Sequence, residues 1–108
     1  MESTSTKEDK IIKIIDCVLK HVFGEESTLL IYKYLERNYS LRQDEFSEKI
    51  DVFAKGLEAF LSSGAYLIEN KILEGVYSSY GLLRRTELEG TLEEYYFASR
   101  VRIAMQQA

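Results

Sequence analysis

Cys17 and His21 stand four residues apart, so on a helix they share one side, a single turn from each other. A thiolate beside an imidazole offers a nucleophile with its base, or half of a metal site. The chain holds one Cys and one His in all, so a zinc site would need carboxylates for its other ligands. No third, orienting group can be placed from the sequence. The plainer reading sets Cys17 at the margin of a core and His21 in solvent, and that reading is expected. A lone Cys also forbids a disulfide within the chain, which fits a reducing cytoplasm.

Glu69 is the acid whose spacing stands out. On a helix it falls beside Ala65, Ile68, Ile72, Leu73 and Val76, inside an apolar face. A carboxylate placed there must be bonded, paired with a cation, or protonated. One reading is a ligand or proton-transfer site. The other, favoured because no second acid–base residue accompanies it, is a structural bond to Tyr32, Lys33 or Arg37.

The elements that position these residues read as helices throughout. Ile11, Ile12, Ile14, Ile15, Val18, Leu19, Val22 and Phe23 form a stripe at helical spacing, closed by Gly24 as a left-handed cap. A second segment opens near Glu25 and carries Leu30, Ile31, Tyr34 and Leu35 to a break at Asn38–Ser40. Ser40 and Gln43 have the spacing of a capping box for a short third element through Lys49. Asp51 is expected to cap a fourth, with Phe53, Leu57, Phe60 and Leu61 on one side and Gly64 ending it. Residues 65–80 make a fifth, with Gly81 after it, and Thr91 with Glu94 would start a last helix. Gly56 and Gly75 fall inside helices, where each costs about 1 kcal/mol against Ala; close helix contact is the expected reason. Proline, which would break helices, is absent.

The expectation is an all-α fold, a compact bundle of five to six short helices. Residues 1–9 read as a disordered polar tail, 10–81 as the helical core, and 82–108 as a loop with a C-terminal amphipathic helix. At 108 residues this is one domain.

Charge and composition exclude several functions. The net charge is −4, with 14 Lys and Arg against 18 Asp and Glu, and no basic patch forms the footprint of direct nucleic-acid binding. No uninterrupted apolar run exceeds four residues, far short of the ~20 that cross a bilayer. The opening ten residues lack the apolar centre of a signal peptide, so a cytoplasmic protein is expected. No phosphate loop, nucleophile elbow, zincin or EF-hand motif occurs. No cofactor, metal or catalytic residue is expected, and the chain is not read as an enzyme.

From Ile14 to Gly81 the pattern resembles a family of small archaeal helical domains, the Nitrosopumilus output domain. The resemblance rests on Val18-Leu19, Phe23-Gly24, Ile31-Tyr32 and Tyr34-Leu35-Glu36, then Asp44-Glu45-Phe46 and Val52-Phe53-Ala54. It continues through Gly56-Leu57, Ser63-Gly64-Ala65, Ile68-Glu69, Ile72-Leu73 and Val76-Tyr77. Where the family shows proline before the segment of Val52, this chain has Lys49-Ile50-Asp51. The resemblance implies a helical fold with a role in interaction or signal output, and no catalytic residues.

Eight tyrosines and five phenylalanines are more aromatic surface than one small core needs. Tyr32, Tyr66 and Tyr77 are therefore candidates for partner binding. Tyr96, Phe97, Arg100, Val101, Arg102 and Met105 are candidates on the last helix, which either docks on a partner or completes its own bundle. The expected function is a nonenzymatic helical protein–protein interaction module, as a homodimer or a signalling adaptor. The alternative is a small accessory subunit that stabilises a larger nucleic-acid-processing complex, such as a DNA polymerase, through protein contacts.

Overall fold

A computed structural model describes residues 7–79 and 97–107. Helix α1 runs Lys7–Tyr39, α2 Ile50–Leu61, α3 Ala65–Ser79 and α4 Phe97–Gln107. Short 3-10 turns at Gln43–Glu45 and Ser62–Gly64 join the middle elements. Among the described residues there is no strand, so the all-α expectation holds. The count of five to six helices does not: the described residues form four.

Two of the expected helices are arms of α1. Gly24 takes φ 87° and ψ 171°, as a left-handed cap should, but the chain resumes helix at once. The result is a kink. Thr28, fully buried, closes it by donating its hydroxyl to the Gly24 carbonyl at 2.7 Å. On either side the buried positions keep a spacing of three or four: Ile11, Ile15 and Leu19 in the first arm, Thr28, Ile31 and Leu35 in the second. Because α1 begins at Lys7, part of the expected polar tail is helical.

The third expected helix, Ser40 to Lys49, is mostly turn. Ser40 sits at φ 52°, ending α1 in the left-handed region rather than capping a new helix. The capping box falls two residues later, where the Arg42 N–H donates to Glu45 Oε1 at 3.0 Å. That bond holds the Glu45 carboxyl below its usual range. Asp51 likewise lies inside the first turn of α2, and Lys49 occupies the capping position. The turn after α2 is made by Ser62 at φ 53°, one residue past the helix, and not by Gly64.

The core is continuous from α1 to α4. Phe46 packs on Phe53 at 4.8 Å between ring centres, Tyr32 meets Phe46 edge-on at 5.4 Å, and Phe97 lies 6.3 Å from Phe53. Each such buried side chain stabilises the fold by roughly 1.5–3 kcal/mol. Gly56 and Gly75 are where α1 comes closest. A Cβ on Gly56 would strike the buried Leu35 side chain and stand 3.2 Å from the Tyr39 ring. A Cβ on Gly75 would stand 2.8 Å from Ile14 Cγ2. The second arm of α1 thus packs on α2 and the first on α3.

Helix α4 completes its own bundle. Val101 and Ala104 are fully buried, Phe97 and Ala98 nearly so, and Met105 packs against the same core. Its contacts are with α2 and α3. Arg102 adds an ion pair to Asp51 of α2 at 3.1 Å. The core therefore extends past residue 81, into the stretch read as a loop with an appended helix. Thr91, Glu94 and Gly81 lie outside the described residues. No helix among the described residues is long and apolar enough to cross a membrane.

Candidate functional site

Helix α3 carries Glu69 on its buried face, between Ile68 and Ile72. The residue is only 9% exposed, and its Oε2 has no hydrogen-bond partner. None of the partners expected from the sequence serves it. The Tyr32 hydroxyl donates instead to Asp16 Oδ1 at 2.7 Å, inside α1, and Asp16 also holds Lys20 at 3.1 Å. The group beside Glu69 is another acid, Glu58, on the exposed side of α2.

Glu58 is near enough for its carboxyl to act on that of Glu69 and to disfavour a second negative charge beside its own. Burial first, then the neighbouring Glu58, pushes the Glu69 carboxyl up to about 8. Glu58 and Glu69 lie at nearly equal distances before and after the Ser62–Gly64 turn. Helices that pack on each other across so short a turn bring such positions face to face. That symmetry about the turn is the sequence signal that points to Glu58.

Both acids line a cavity of about 620 Å³ between α2, α3 and α4. Glu69 lies within it and Glu58 at its exposed rim. Tyr66, Leu73 and Phe97 supply apolar wall, and Lys55, Asn70, Arg100 and Arg102 supply polar groups. No group of three His, Cys, Asp or Glu able to hold a metal occurs among the described residues. The arrangement can hold a proton, or exchange it for a positively charged guest.

No protein-family model, curated protein or solved structure matches the chain.

The candidate partner-binding residues divide by exposure. Tyr66 is 69% exposed, on the outer side of α3. Tyr32 and Tyr77 are half-buried and pack against the core. Phe97 and Val101 are buried and Met105 is half-buried, and all three pack in the core that α4 shares with α2 and α3. Arg100 lines the cavity, and Arg102 is engaged by Asp51. Tyr96 lies outside the described residues.

Cys17 is an exposed free thiol rather than a margin of the core. It shares a shallow depression of about 400 Å³ with Val18, His21, Val22, Lys71 and Glu74. His21 is exposed as well, as expected.

Large apolar side chains stand outside the core on all four helices. Leu30 is 60% exposed and Phe60 41%, although periodicity counted both among inward positions. Tyr34 follows Leu30 by one helical turn, and its ring lies 4.9 Å from that of Phe60. Leu30, Tyr34 and Phe60 thereby form an aromatic-capped ridge where α1 borders α2.

Proposed function

We propose that this chain is a nonenzymatic helical interaction module of the cytoplasm that pairs with a second copy of itself. The observation that supports the reading is the ridge of Leu30, Tyr34 and Phe60. A small domain gains nothing for its own stability by leaving Leu30 out of the core, whereas a partner surface that covers it gains its apolar area. The aromatic members suit an interface, since rings supply contact area with little loss of conformational freedom. Helical ridges pack on their symmetry mates across a two-fold axis with the same residues meeting from both sides.

Co-purification of an untagged copy with a tagged one tests the pairing. Wild-type chains are expected to co-purify, and Leu30→Asp, which changes an exposed position and leaves the core intact, is expected to abolish it. Failure of the wild-type chains to associate overturns the homodimer and favours a small accessory subunit of a larger, nucleic-acid-processing assembly.

A further inference from the structure

We propose that the cavity between α2, α3 and α4 binds a small organic cation bearing N–H donors, an amine or a guanidinium, with Glu69 and Glu58 as its counter-ions. Glu69 Oε2 is buried and unpartnered, which is the arrangement least favourable for an acceptor: it has lost its water and gained no donor. A guest that donates a hydrogen bond there removes that penalty. Among donors, a cation fits best. Both acids line the same cavity, and a cation can take the place of the Glu69 proton with no change in the charge of the site. The proton leaves to solvent, both carboxyls become carboxylates, and the guest balances the charge that the proton had balanced.

The surroundings agree. From α2 the cavity receives Asp51, Lys55 and Glu58, and from α4 Arg100 and Arg102. Arg102 is committed to Asp51 at 3.1 Å, which leaves Glu58 and Glu69 as the adjoining acids that a guest can meet. Tyr66 and Phe97 are among the residues that line the cavity. A volume of about 620 Å³ lies in the range of sites for small molecules.

The test is the carboxyl ¹³C resonance of Glu69, followed by NMR at neutral pH while butylguanidine is added. The expected result is a saturable shift of that resonance from the acid toward the carboxylate, with no response to 1-butanol. Glu58→Gln, a change at the exposed rim, is expected to weaken binding at least tenfold, and Glu69→Gln to abolish the saturable shifts of neighbouring amides. A wild-type spectrum that does not respond, or a response that Glu69→Gln leaves unaltered, overturns the proposal. The wild-type titration decides the matter even if a variant fails to fold.

Discussion

Glu58 of α2 stands beside the buried Glu69 of α3, and burial together with that neighbouring acid pushes the Glu69 carboxyl up to about 8, so it keeps its proton near neutrality. Two acids side by side would repel each other if both were ionised. Here the inner one, stripped of water, keeps its proton and the outer one takes the solvent side.

The pairing makes stability depend on pH in a defined direction. Glu69 titrates near 8 in the folded chain and near 4.5 when free of its surroundings. Between these values the folded chain holds a proton that the unfolded chain has released. The stabilisation is complete below the lower value and is lost as pH rises through the upper one, at no more than about 1.4 kcal/mol per pH unit. Denaturant melts from about pH 5 to pH 9 should show that decline, and Glu69→Gln should flatten it. An equal slope in the variant would assign the decline to other groups.

Tyr32→Phe isolates the bond that ties the two arms of α1 together across the kink. The hydroxyl reaches Asp16 at 2.7 Å, and its half-buried position and this bond both hold the phenol well above its ordinary range. Its removal should cost about 1 kcal/mol, measured by urea denaturation, because Asp16 retains Lys20 and water.

The two interior glycines should respond differently to alanine. At Gly56 the added methyl meets fully buried Leu35, which has no room to move, and overpacking of about 1–3 kcal/mol outweighs a helix gain of about 1. At Gly75 it meets only the half-buried Ile14 at 2.8 Å, so the gain and the strain should nearly cancel. Thermal melts of Gly56→Ala and Gly75→Ala separate the cases; equal losses would contradict the packing described.

Val101→Ala tests whether α4 belongs to the core. Val101 is fully buried, and its truncation should cost about 2 kcal/mol in a single cooperative unfolding transition. A loss near zero would mean that α4 folds apart from the other helices.

Much of this arrangement follows from helical periodicity, and the parts that do not share a cause. The buried face of α3, from Ala65 to Val76, and the left-handed Gly24 are local matters of spacing and backbone sterics, and both are legible. So is the burial of Glu69. Its neighbour is not, because Glu58 belongs to another helix and the register between helices is set by packing. Leu30 and Phe60 illustrate the same limit: apolar spacing marks a wide stripe, and only the neighbouring helix decides which edge of it is covered. The segment from Ser40 to Lys49 reads as helix because capping chemistry is shared by helices and tight turns.

The central claim is that the ridge of Leu30, Tyr34 and Phe60 pairs two copies of the chain, and sedimentation equilibrium tests it most directly. Wild-type protein should approach about twice 12.5 kDa as its concentration rises, and Leu30→Asp should remain at the single-chain mass with its helical circular dichroism unchanged. A wild-type chain that stays at the single-chain mass at every concentration, or a Leu30→Asp variant that still doubles, would contradict it.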